Sequence, residues 1–168
     1  MEKEGLGIPR HTSLIGALFL VLFVSACSAP RIIIVKDPLT ATEHNDLGVV
    51  YEQKGMLDLA EKEYFQALEK ENDWWLPYFN LGNLFYKKGD LLVAEIYYRR
   101  ALDYEGANAD VMNNLANLLH ERKRDAEAVE LITKALFMER KPEYLDTYRK
   151  VTGLPEGETR EAVSPPSN

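Results

Sequence analysis

The residues able to do chemistry in this 168-residue chain are few, and their spacing argues against most of it. Only three histidines and one cysteine are present. His120-Glu121 could open a zinc site in which two imidazoles one helical turn apart hold the metal and the carboxylate activates water, but Arg124 stands where the second imidazole must be. His44 has no partner cluster, and there is neither a phosphate-cradling glycine loop nor a Gly-x-Ser-x-Gly elbow. A single cysteine supports neither a disulfide framework nor a Cys-rich metal site. The expectation is therefore a chain that is not an enzyme, holds no metal or cofactor and takes no small-molecule substrate. His44, the His120 to Arg124 segment and Arg99-Arg100 are read as structural or solvated. What remains is hydrogen-bonding chemistry. Asn80-Leu81-Gly82-Asn83 returns as Asn114-Leu115-Ala116-Asn117, and asparagine carries two donors and an acceptor side by side, enough to bind the backbone of an extended peptide whatever its sequence. The same asparagines can also sit on a wet helix face without a ligand.

Lys3, Arg10 and His11 precede an apolar run from Leu14 to Val24, followed by Ser25, Ala26 and the sole cysteine, Cys27. This is the outline of a secretory signal peptide. As a helix the run would span only ~20 Å at ~1.5 Å per residue, short of the ~30 Å hydrocarbon core. The formal charge of −7 is unchanged by removal of 1–26, because Lys3 and Arg10 leave with Glu2 and Glu4, so a basic surface for nucleic acid is not expected. Val24-Ser25-Ala26-Cys27 resembles the lipobox of bacterial lipoproteins. The resemblance implies cleavage before Cys27, acylation of its thiol and amine, and membrane anchoring by the covalent lipid; Ser28 in place of an aspartate implies the outer membrane, facing the periplasm.

Residues 27–40 read as the lipidated cysteine and an extended tether. Pro30 and Pro38 bracket Arg31-Ile32-Ile33-Ile34-Val35, which packs on the first helix or leaves a strand edge open. Beyond Thr40 a period of 34 residues sets in. Leu47-Gly48, Leu81-Gly82 and Leu115-Ala116 recur in register, as do Tyr51, Phe85 and Leu119; Ala60, Ala94 and Ala128; Tyr64, Tyr98 and Ile132; and Ala67, Ala101 and Ala135. This pattern resembles the tetratricopeptide repeat, whose units are two antiparallel helices. It departs from the pattern at Ala116 and Lys123, which replace glycines of the earlier copies, and the proline that ends the pattern is missing from the first two.

The elements that must position these residues follow from the physics of the slots. The small residues at 48, 82 and 116 let the first helix of each pair approach the second closely, and the large rings fill the space between pairs. Gly55 and Gly89 stand where the chain must reverse. Thr40-Ala41-Thr42-Glu43 has capping-box spacing, Asp73 is placed to cap the next pair, and Pro77 falls in a first turn, where proline is tolerated. The expected class is all-α: repeats at 41–74, 75–108 and 109–142, a capping helix at 143–151 carrying Tyr144, Leu145, Tyr148 and Val151, and a disordered tail at 152–168.

The resemblance further implies a concave groove lined by the first helices, with slots at Asn45, Val49 and Glu52, at Phe79, Asn83 and Tyr86, and at Asn113, Asn117 and His120. A carboxylate clamp is not implied, because its cationic places hold Asn45, Asn113 and Asn117. The implied role is a lipid-anchored adaptor or scaffold that holds a segment of an envelope protein, as in the assembly of pilus or secretion machinery. Two alternatives stay open: a spacer that stacks or self-associates through Trp74, Trp75 and the tether, and a non-catalytic subunit of a cell-wall or polysaccharide enzyme complex. On this reading Asn83→Ala leaves folding intact and weakens the groove ligand.

Overall fold

The computed structural model describes residues 37–106, 108–155 and 158; the signal segment, Cys27, the Arg31 to Val35 run and most of the tail lie outside them. Among the described residues are seven helices and no strand: α1 (Ala41–Gln53), α2 (Leu57–Lys70), α3 (Trp75–Lys88), α4 (Leu91–Glu105), α5 (Ala109–Glu121), α6 (Asp125–Met138) and α7 (Pro142–Thr152). Each odd helix packs antiparallel on the one that follows, giving three hairpins; α2 then packs on α3, α4 on α5, and α7 closes against α5 and α6. The architecture is an all-α solenoid of three helix-turn-helix repeats and a C-terminal capping helix. Its first helices begin at Ala41, Trp75 and Ala109, 34 residues apart.

Local signals set the helix ends. Thr40 Oγ1 accepts from the Glu43 amide at 3.2 Å and the Thr40 amide donates to Glu43 Oε2 at 2.8 Å, a complete capping box. Asp73 does not cap α3. The N-cap is Trp74, with no side-chain bond, and Asp73 lies one residue too early in the turn. All three first helices end in the same motif. The amides of Gly55, Gly89 and Lys123 reach back to Glu52, Tyr86 and His120, and those of Met56, Asp90 and Arg124 reach Tyr51, Phe85 and Leu119. That closure needs a left-handed residue, and the third repeat supplies it with Lys123 at φ 61°.

Within the hairpins the rings of Tyr64 and Tyr98 lie on backbone rather than only between pairs. A Cβ added to Gly48 would stand 2.5 Å from Tyr64 Cε1, and one added to Gly82 would stand 2.5 Å from Tyr98 Cε1. Where the ring is replaced by Ile132, one period on, the glycine is replaced by Ala116, and both are fully buried. Between hairpins the core continues through Leu81, Leu84, Leu115 and Leu118, all at 0% exposure.

Ion pairs staple the junctions on the outer side. Lys88 Nζ sits 2.9 Å from Asp58 and 2.6 Å from Glu61. Glu95, 8% exposed, is held by Arg99 and Arg124 at 2.7 Å each and by Arg122. Arg99, Arg122 and Arg124 therefore hold a buried carboxylate, a structural role, while Lys123 and Arg100 are exposed. His44 is buried, with Nδ1 2.7 Å from Glu63.

The last hairpin is covered by α7, which buries Tyr144, Tyr148 and Val151 and turns Glu143, Asp146 and Lys150 outward. Asp110 accepts from Tyr144 and Lys141, and these bonds hold its carboxyl below the ordinary range. Thr152 belongs to α7 and Leu154 packs at the edge of the core, so the ordered part extends past the boundary expected at 151. Trp74 and Trp75 are half-buried, with Trp75 against Phe79.

Two substitutions test this packing with opposite signs. Gly82→Ala should lower unfolding stability by about 1–3 kcal/mol, because Tyr98 cannot yield between two helices. Lys123→Gly should raise it by about 1 kcal/mol, by relieving the left-handed backbone strain of a side chain. Chemical denaturation of both variants reads the two shifts.

Candidate functional site

The first helices line one face of the solenoid, and two clefts open on it. One, of about 250 Å³, is lined by Val49, Glu52, Gln53, Tyr64, Asn80 and Lys87. The other, of about 210 Å³, is lined by Asn83, Tyr86, Tyr98, Asn114 and Asn117. They occupy the same place in consecutive repeats: Val49, Glu52, Tyr64 and Asn80 are each 34 residues before Asn83, Tyr86, Tyr98 and Asn114.

The floor of each cleft is a tyrosine hydroxyl. Tyr64 donates to Glu52 Oε2 at 3.0 Å, and Tyr98 donates to Asn83 Oδ1 at 2.8 Å. Burial pushes both phenols up, so they remain donors. Tyr86 reaches across to Glu121; burial first, then that carboxylate, pushes it up to about 12. The wall of the first cleft carries mixed charge, with Lys87 3.9 Å from Glu52; beside the second, Lys150, bonded to Asn117, lies 3.7 Å from Glu121, which accepts from Tyr86.

The asparagines pair with one another across the repeats. Asn80 donates to Asn45 at 2.8 Å, Asn114 donates to Asn83 at 2.8 Å, and Asn117 donates to Thr147 of the cap at 2.8 Å. This row stitches α1, α3, α5 and α7 together along the groove. Asn45 and Asn113 are 3% and 8% exposed, which takes them off the groove surface. Phe79 is half-buried between Trp75 and Tyr98, with each ring centroid 6.0 Å away, and acts as an edge of the core. His120 is held at the end of α5 by Asp125, 2.7 Å from Nδ1, and lines neither cleft. Of the nine slots, Val49, Glu52, Asn83, Tyr86 and Asn117 come together on the clefts. Sequence reasoning missed Tyr64, Tyr98, Gln53 and Lys87 as lining residues, and it counted Asn80 and Asn114 among the recurring asparagines without giving them groove slots. The signal for Asn80 and Asn114 was their common spacing of 34.

Residues 79–144 match the family model described as tetratricopeptide repeat. The fold is that of the tetratricopeptide repeat. The same fold continues before the matched span, since α1 and α2 form a hairpin of the same register. Two solved structures are similar to it. The first, titled the first TPR of Spaghetti (RPAP3) bound to HSP90 peptide SRMEEVD, is 17% identical with a TM-score of 0.65, covering 67% of this chain and 90% of that one. The second, the N-terminal domain of stress-induced protein-1 (STI-1) from C. elegans, is 18% identical with a TM-score of 0.58, covering 66% and 93%. No curated protein sequence matches the chain. Tetratricopeptide arrays are in general protein-interaction modules, because stacked hairpins expose long continuous surfaces.

The pairing of Asn83 changes what its substitution should do. Asn83→Ala strands the Tyr98 hydroxyl and the Asn114 amide together, so it should cost about 1–3 kcal/mol of folding stability rather than leave folding intact. A melt matching the parent would show that neither bond carries weight.

Proposed function

We propose that this protein is a lipid-anchored, non-catalytic adaptor of a bacterial cell envelope that holds a segment of a partner protein along its groove. The observation carrying this reading is the pair of register-equivalent clefts on the first-helix face. A repeated cleft suits a repeated ligand, such as the backbone of an extended segment or one face of a helix. The polar lining, half used in internal pairing, offers directional bonds, while Val49 and Tyr86 offer apolar contact.

The groove does not suit an acidic chain end. Glu52 and Glu121 stand on it beside Lys87 and Lys150, and Asn45 and Asn113 are buried where a clamp would need cations. The partner segment is thus expected to be internal and close to neutral. The sequence before the array supports anchoring: acylated Cys27 would place the groove on the periplasmic side of the outer membrane, where assembly of pilus or secretion machinery is one setting for such an adaptor. The covalent lipid is the one attached group required. A stacking spacer is the weaker reading, because α7 ends the array with a polar face.

Crosslinking in intact cells tests the reading. Full-length protein should capture an envelope protein that is lost when Tyr86→Ala and Lys87→Glu are combined, with a retained helical spectrum and cooperative melt as the control for folding. Cys27→Ser should move the protein from the detergent-extracted membrane fraction to the soluble one. A captured set that ignores the groove variant would overturn the adaptor, and a membrane fraction that ignores Cys27→Ser would overturn the anchor.

A further inference from the structure

The 34-residue register exposes a second surface, independent of the groove. Along α3 and α5 the same slots face the preceding hairpin: Leu84 and Leu118 are fully buried, as are Pro77 and Val111. One period earlier these slots hold Val50, 41% exposed, and Glu43, also exposed. Leu47 is only half-buried where Leu81 and Leu115 are at 0%.

The ionic slots tell the same story. Lys88 reaches Glu61 and Arg122 reaches Glu95, each cation 27 residues after its carboxylate. The equivalent cation of the first repeat is Lys54. It is exposed and makes no ion pair among the described residues. The outer edge of the first hairpin thus carries the apolar slot and the cation of a repeat junction.

We propose that this N-terminal edge is an open repeat junction that receives an amphipathic helix of a partner protein. The chemistry of that helix follows from what α2 and α4 already present to α3 and α5. Both carry a small residue, then a carboxylate, then an aromatic three residues on: Ala60-Glu61 with Tyr64, and Ala94-Glu95 with Tyr98. The small residue and the ring pack on the leucine slots, and the carboxylate meets the cation.

A second copy of the chain fits poorly. Its α6 offers Ala128-Val129 with Ile132, lacking the carboxylate, and is already covered by α7. Two such edges face to face would set Lys54 against Lys54. The sequence before Asp37 has only Glu2 and Glu4 as carboxylates and no tyrosine, so it does not contain the pattern.

The test uses the full-length protein and, as probe, a lactam-stapled helix with the sequence of residues 57–70. The probe should bind, perturbing the amide resonances of Val50 and Lys54. Lys54→Glu should weaken it about tenfold or more, and a probe carrying Glu61→Lys should recover the loss. Tyr86→Ala should leave the affinity unchanged, which separates this edge from the groove. Absence of binding, equal affinity in Lys54→Glu, or perturbations centred on Tyr86 and Asn117 would each overturn the proposal. So would sedimentation of the protein alone as a dimer that Lys54→Glu dissociates, since the occupant would then be a second copy.

Discussion

The ring of Tyr98 lies where a Cβ on Gly82 would have to be, and most of the groove depends on that contact. Because the ring enters so far between α3 and α4, its hydroxyl emerges on the opposite side, within 2.8 Å of Asn83. Asn83 in turn accepts from Asn114 of the next hairpin. One omitted methyl group therefore links the packing inside a repeat to the bonding between repeats and to the floor of a cleft. Tyr64 makes the same entry over Gly48 but ends on Glu52, so two clefts at equivalent places in the repeat differ in polarity.

Stacking adds a second constraint. Each junction buries a leucine slot against the preceding hairpin and closes with a carboxylate and a cation. At the junction of α4 with α5 the carboxylate of Glu95 is itself buried, so its arginines are required in place: an uncompensated charge there would cost several kcal/mol. This arrangement makes the hairpins directional. Each hairpin turns its carboxylate forward and its cation backward, and the array ends where α7 substitutes Tyr144 and Thr147 for a further hairpin, bonded to Asp110 and Asn117.

Much of this was legible in the sequence, because burial within one hairpin obeys a fixed period. The glycine and alanine slots, the capping box at Thr40 and the reversal at Gly55 and Gly89 depend on neighbours along the chain, and a single sequence displays them. What was not legible depends on how hairpins cross. The partners Asn45 and Asn80, Glu52 and Lys87, and Tyr86 and Glu121 are each 35 residues apart, one more than the repeat. The partners of Asn83 and of the arginines near Glu95 lie at other separations again, so from one sequence Asn83 looks like a free groove residue and Arg122 and Arg124 look solvated. Asp73 was misplaced for a smaller reason: a helix start can shift by one residue with no change in its apolar pattern.

The internal pairing of the asparagines also bears on how the groove can recognise anything. A ligand amide that takes the place of an asparagine partner exchanges one hydrogen bond for another, with a net gain near zero. Affinity must then come from surface removed from water without a lost bond, and on these clefts that means Val49 and the ring of Tyr86. Under the proposed adaptor reading the asparagines would set where the backbone of a ligand runs. Selection among ligands would fall to the residues that differ between the two clefts, Val49 against Asn83 and Glu52 against Tyr86, so a segment lying along both would be read in a fixed direction.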